Sequence, residues 1–378
     1  MYTQEHYVLS PDRVLTDEEA KLVWRKPKSH KASEEEERIC KEIIRNWNRG
    51  EMKIANILLE GDAGSGKTQL AKALSANFRL PYTKVTCFAD MDKSDVVGAI
   101  LPVISSERVA ELSQSDQKLL HVLYESDGFQ STTEILQEAF GFSKEQASIQ
   151  MKQLLNRLAE QHRDNEVVEY RFYPSEIVRA YQHGYLLEIQ EPTVIRDAAV
   201  LMALNSALEL DGSINLPTEV ITRHPDFIAV ITTNRNYTGT RPLNESLRDR
   251  IQHSEKMDLP SREVMVERAI AKIGFEDRKV LNLLADTIIL LDKTARVNAI
   301  KGVAGMRSFF YWADSVAGGA SAKESLYHKV IYKITTDPDE IAILEQALQH
   351  QGLDAKLDEL DHPETLQGNA KKKDHLKQ

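Results

Sequence analysis

The chain has 378 residues, with 48 basic against 58 acidic side chains and a formal charge of −10, so it can form two or three cores and presents no overall basic field for nucleic acid. Its two cysteines, Cys40 and Cys87, are far apart and lack C-x-x-C spacing, which argues against a disulfide framework or a thiolate zinc site and suits a reducing cytoplasm. The first thirteen residues lack a basic-then-apolar signal, and the most apolar helical stretch, 280–291, is interrupted by Asn282 and Asp286, so no membrane span is expected.

In chain order, residues 1 to about 32 show no clear period and read as an extension packed on, or wandering over, the first domain. Ser33 and Glu36 have the spacing of a capping box, and Ile39, Ile43 and Trp47 recur every four residues, which predicts a helix over 34–48. Its acidic first turn, 34–37, is expected to face solvent and to suit the positive end of the helix dipole. Residues 54–59 read as a buried strand. Directly after it comes Gly61-Asp62-Ala63-Gly64-Ser65-Gly66-Lys67-Thr68, the spacing G-x-x-x-x-G-K-[ST]. Gln69 continues into a helix whose Leu70, Leu74 and Phe78 share one face. Strand, glycine-rich turn and helix in that order suit a nucleoside triphosphate. The glycines let backbone N–H groups point at phosphates, Lys67 can reach the β and γ phosphates, Thr68 can ligand Mg2+, and the helix N-terminus favours an anion.

A second strand is predicted over 82–87, followed by a polar connection from Asp90 to Gly98, so strand, helix, strand suggests a parallel α/β sheet. Residues 106–165 break the rhythm with three helical patterns, at 118–124, 133–140 and 144–159. An extended run at 167–172 completes the outline of a winged helix-turn-helix. Nine acidic against five basic side chains over 113–166 have the wrong sign for a phosphate-neutralising surface, so protein contact or a structural insertion is expected ahead of DNA binding. Further strands are predicted at 185–191 and 227–234, a helix at 198–210, and a hairpin with arms 214–216 and 219–221 around Pro217 and Thr218. After Pro260 the pattern is helical, at 264–273, 279–291, 308–316, 326–334 and 340–350, and the tail with Lys371, Lys372 and Lys373 reads as solvated. The eleven histidines are scattered, with neither H-E-x-x-H nor a Ser-His-Asp arrangement, so Mg2+ is the only metal expected.

Three more segments fall in a consistent order. Leu186-Leu187-Glu188-Ile189-Gln190-Glu191 ends a strand with acids, and Asn234 closes the strand 227–234. Pro242 to Arg250 is followed further on by Gly302-Val303-Ala304-Gly305-Met306-Arg307. With the phosphate loop, these segments resemble the AAA+ ATPases, and within them the MoxR-like and dynein-related branch, over roughly 48–103 and 166–311. The resemblance implies an α/β fold: a P-loop AAA+ core with a parallel sheet, an inserted winged-helix-like helical segment and a C-terminal helical lid. The expected division is an N-terminal extension and helix (1–47), a nucleotide-binding core (48–258, interrupted by 106–165), and a lid with polar tail (259–378).

The resemblance also implies roles. Glu191 stands where the family has the glutamate that polarises attacking water. Gln190 stands where aspartate assists the metal, a departure that leaves a neutral amide in a Mg2+ position. Glu188 shares its strand face with Gln190 and is the helper, and an alternative frame puts Glu188 itself in an acidic position. Asn234 matches the first sensor, Arg250 (with Arg248 as fallback) the arginine finger that acts on a neighbouring subunit, and Arg307 the second sensor. The implied activity is hydrolysis of ATP with Mg2+ by a cytoplasmic ring, usually a hexamer. Such a ring remodels a protein client, and relatives of this type commonly serve von Willebrand A domain proteins. The alternatives are a GTP-using motor for a partner nuclease, a slowly hydrolysing nucleotide-gated scaffold, and a DNA-binding regulator using the insert.

Overall fold

The computed structural model describes residues 7–102, 170–216, 219–234 and 242–361, with the isolated positions Gln117, Gln146, Ile149 and Gln153. Apart from those four positions, the winged-helix-like segment 106–165 lies outside the described residues, as do Pro217, Thr218 and the three tail lysines.

The N-terminal segment is ordered as a strap carrying the short helix α1 (Asp17–Leu22), which Thr16 and Glu19 close with a capping box. Helix α2 (Glu34–Asn46) follows, with Ile39 and Ile43 fully buried. Its N-terminus differs from the expectation. Ser33 accepts from the Glu36 N–H, but the Glu36 carboxylate does not return to the cap and does not face solvent. It is 3% exposed and bonded by Lys26, His30 and Asn77.

Strand β1 (Asn56–Gly61), helix α3 (Lys67–Phe78) and strand β2 (Tyr82–Thr86) build the first βαβ unit. Helix α4 (Lys93–Val97), capped by Asp92, leads into β3 (Gly98–Pro102), which pairs antiparallel with β4 (Tyr170–Pro174). The described end of the run read as a wing is therefore half of the ribbon at the base of the insertion, and its partner precedes the insertion. Helix α5 (Glu176–His183) returns the chain to β5 (Leu186–Gln190). Helix α6 (Ala198–Leu208), the antiparallel hairpin β6 (Ser213–Asn215) and β7 (Val220–Thr222), and strand β8 (Ile228–Asn234) follow. Helix α7 (Glu245–Asp249) and strand β9 (His253–Met257) complete the sheet.

The five strands run parallel in the order β2, β5, β8, β1, β9. Alternate residues serve opposite faces. Ile57, Leu59, Ile228 and Val230 pack on α2 and α3, while Leu58, Ala229, Ile231, Leu187 and Ile189 pack with α5 and α6. Coverage on both faces explains why these strands read as continuous apolar runs.

A helical bundle follows: α8 (Arg262–Ile273), α9 (Arg278–Val297), α10 (Met306–Ala317), α11 (Ala322–Leu326), α12 (Tyr332–Ile334), α13 (Pro338–His350) and α14 (Leu353–Asp361). Trp312, Phe309, Leu284 and Leu291 lie at its centre. Two predicted helices differ in extent: the one at 279–291 continues to Val297, and the one at 326–334 is broken by a π turn over Tyr327–Ile331. Among the described residues no helix is long and apolar enough to cross a membrane.

Candidate functional site

A parallel sheet brings the carboxyl ends of its strands to one edge, so the loops after β1, β5 and β8 meet there. The register sets Gly61 opposite Asn234, and Gln190 opposite Thr232 on the same strand. The phosphate loop needs glycine at two of its positions for different reasons. Gly66 has φ 100°, in the left-handed region that caps α3, and a Cβ on Gly61 would lie 2.2 Å from the Met257 carbonyl oxygen.

Lys67 Nζ donates to the carbonyls of Gly61 at 2.8 Å and Asp62 at 2.9 Å, and to Asn234 Oδ1 at 2.7 Å. Ser65 Oγ is buried in the loop without a hydrogen-bond partner, and Gly64 and Gly66 hold the turn open with positive φ. This loop with an unsatisfied hydroxyl donor at its wall fits a phosphate group.

Glu191 lies just beyond β5 rather than in it, at φ 55°. Its N–H donates to Thr232 O at 2.8 Å, and its Oε2 accepts from the Asn234 N–H at 3.1 Å. Burial raises its pKa above the ordinary 4.5, against the opposing pull of the Asn234 N–H and of Lys67.

Glu188 is completely buried. Thr68 Oγ1 donates to its Oε1 at 2.8 Å, Thr232 Oγ1 at 3.1 Å and Gln190 Nε2 at 3.1 Å, and the Tyr82 hydroxyl donates to its other oxygen. Burial and the neighbouring carboxylate push the Tyr82 hydroxyl far above its ordinary pKa. Gln190 faces the same way, as strand alternation requires, but its amide oxygen accepts from Thr86 at 2.8 Å while its NH2 donates to Thr68 Oγ1 at 3.1 Å. Thr68, Glu188 and Gln190 are thus the groups that could hold a cation beside the loop. Among the described residues no cluster of three or more His, Cys, Asp or Glu side chains forms a metal site.

Arg307 lies in the first turn of α10 beside the loop, where a Cβ on Gly64 would lie 3.3 Å from its own Cβ. Arg250 is elsewhere. Its backbone oxygen accepts from Asn56 at the start of β1, and its guanidinium bonds Glu209 at 2.6 Å and the Ser246 carbonyl at 2.9 Å. The whole length of β1, roughly 17 Å or more, separates it from the phosphate loop of its own chain. Arg248 is exposed nearby.

A cavity of about 780 Å3 joins the loop to a wall that the sequence did not announce: Pro27 and His30 from the strap, Met257 at the end of β9, and Arg268, Lys272 and Phe310 from the bundle. The strap has no periodicity to reveal it. Arg268 and Lys272 are one turn apart on α8, a signal indistinguishable from a solvated face. His30 is fixed by its 2.9 Å contact with Glu36, and Lys272 sits 4.4 Å over the Phe310 ring.

Residues 56–119 match the profile of the AAA domain (dynein-related subfamily). An uncharacterized protein of Staphylococcus epidermidis is 26% identical over 197 residues, 52% of each chain, so this chain spans about half the length of that relative. The Bacillus subtilis protein YojN, also uncharacterized, is 23% identical over 297 residues, 76% of this chain and 75% of YojN. Among solved structures, the Thermotoga maritima RuvB Holliday junction branch migration motor aligns with 87% of this chain and 72% of its own at 11% identity, with a TM-score of 0.38. The segment that carries the phosphate loop is therefore similar to the AAA domain of the dynein-related subfamily, a match that supports the AAA+ ATPases as the broad class of this chain.

Proposed function

We propose that this chain hydrolyses ATP with Mg2+ and works as a ring that remodels a protein partner. The observation that carries the reading is the convergence of Lys67, Thr68, Glu188, Glu191 and Asn234 at one edge of the sheet. In this reading the loop N–H groups and Lys67 bind the polyphosphate, Asn234 and Glu191 hold and polarise the attacking water, and Arg307 reaches the nucleotide from the bundle. Thr68 and Glu188, with Gln190 beside them, would hold Mg2+, which supplies charge neutralisation on the β and γ phosphates when bound.

Arg250 serves a neighbouring subunit. Its place at the opposite end of the sheet from its own loop supports that role, because a residue there can reach only another copy's nucleotide. A ring, a hexamer by family resemblance, follows from this assignment. The client is a protein, with a von Willebrand A domain protein as the first choice. A second reading, a nucleotide-gated scaffold that hydrolyses slowly, is favoured by one observation: the NH2 of Gln190 occupies a lone pair of the Thr68 hydroxyl.

The test is nucleotide binding and phosphate release by the purified chain and its Lys67→Ala variant. Binding and turnover that are both lost on substitution support the proposal. A wild-type chain that neither binds nor cleaves ATP sinks it, and tight binding with negligible turnover selects the scaffold.

A further inference from the structure

Asp62 is an anomaly in a loop built for anions. Its side chain is only 10% exposed, and it follows Gly61 at the start of the phosphate turn, where a carboxylate repels the polyphosphate that the loop is proposed to bind. Its counter-charge comes from 234 residues further along the chain: Arg296, in the last turn of α9, donates Nη2 to Asp62 Oδ2. The same guanidinium donates Nε to Asp292 Oδ2 at 2.8 Å, and Asp292 lies one turn back on α9. The hydrogen bonds of Lys67 go to the two loop carbonyls and Asn234. A second contact between bundle and loop is one of backbone against backbone: the start of α10 packs so closely that a Cβ on Gly305 would meet the Ala63 carbonyl oxygen at 3.2 Å.

We infer that Arg296 is a positioning residue for phosphate binding: it neutralises the Asp62 carboxylate, so the loop takes up a polyphosphate at full affinity only while α9 is docked against it. The inference rests on the nucleotide reading of the loop. Asp292 orients the guanidinium by holding it at Nε, and the carboxylate pair holds Arg296 further above its ordinary pKa, so its charge is permanent. Displacing the bundle withdraws Arg307 and also leaves a bare carboxylate in the phosphate turn. Loss of the docked bundle then lowers affinity twice, once by removing a cation and once by exposing an anion.

Suppression distinguishes this role from a simple brace. The affinities of the full chain for Mg2+ with ADP and with a non-hydrolysable ATP analogue are measured by calorimetry, for wild type, Arg296→Ala, Asp62→Asn and the double variant. R296A is expected to weaken binding about tenfold and D62N to tighten it up to about threefold. The double variant should return to within about threefold of wild type, and the R296A deficit should shrink as salt is raised. A brace predicts the opposite pattern, with D62N and the double variant as weak as R296A, and that result overturns the inference. If R296A folds poorly, D62N alone decides, since a brace requires loss and charge neutralisation forbids it. A wild-type chain that binds neither nucleotide overturns the nucleotide reading and this inference together. Wild-type binding without suppression overturns this inference alone.

Discussion

The backbone N–H of Asn234 donates to Glu191 Oε2 at 3.1 Å while its side-chain oxygen accepts from Lys67 at 2.7 Å, so one residue fixes both the proposed base and the phosphate-loop lysine. Glu191→Gln keeps the size of the side chain and removes its proton affinity. Steady-state phosphate release should fall by about 10²- to 10⁴-fold with nucleotide affinity unchanged. Unchanged turnover would move the base to Glu188.

Burial raises the Glu191 pKa above the ordinary 4.5. A base must be ionised, so turnover should fall as pH drops through this raised value, at a higher pH than for an exposed glutamate. A pH profile of kcat reads the limb directly. The same shift means that ionised Glu191 costs the fold some stability near neutrality, and that this cost disappears as pH falls and the group takes up a proton. Thermal melts of Glu191→Gln at pH 7 should therefore match or exceed wild type.

The Gln190 amide offers Thr68 a donor where a carboxylate would offer the metal an acceptor. Gln190→Asp should lower the Mg2+ concentration that half-saturates turnover by about tenfold, and Glu188→Gln should raise it by a similar factor. A Mg2+ titration at fixed ATP measures both. An unchanged requirement in Glu188→Gln would remove that carboxylate from the cation site.

Burial alone would raise the pKa of Glu36, but hydrogen bonds from His30, Lys26 and Asn77 outweigh it and hold the carboxyl at about 2 against an ordinary 4.5. The resulting stabilisation, roughly 3 kcal/mol, is present above the unfolded value and is lost as pH falls from about 4.5 towards 2. Glu36→Gln should lower the urea midpoint clearly at pH 7, and the gap from wild type should close below pH 4. A constant gap across that range would mean that packing rather than charge anchors the strap.

Arg250 is held by Glu209 at the far end of the sheet from its own loop. If it serves a neighbour, rings mixed from wild-type and Arg250→Ala subunits should hydrolyse less than the dilution of active sites predicts, while each subunit still binds nucleotide. Strict proportionality in phosphate release across the mixing series would argue against shared sites.

The sheet and the loop were legible because backbone geometry dictates their residues. A turn with φ near 100° at Gly66 leaves little choice, and strands covered on both faces announce themselves as apolar runs. Strand β9 was not legible. As an edge strand it alternates the polar, largely buried His253 and Glu255 with the exposed Ser254 and Lys256, which leaves little apolar signal. The short helices α1, α5 and α7 give too few turns for a period. Glu36 was misjudged because helical spacing cannot distinguish a solvated acid from one met by Lys26 and His30 on a non-periodic strap. The link from Arg296 to Asp62 joins residues 234 positions apart and leaves no local trace.

The ribbon at the base of the insertion pairs Pro102 with Tyr170. The chain therefore leaves the α/β body and rejoins it on one rung of this ribbon, and Ser175 secures the return strand by donating to the Val96 carbonyl. A detour that begins and ends on the same rung imposes no spacing on what it was spliced into. Whatever occupies that stretch is free to lengthen, shorten or be exchanged while the alignment of the five parallel strands stays as it is.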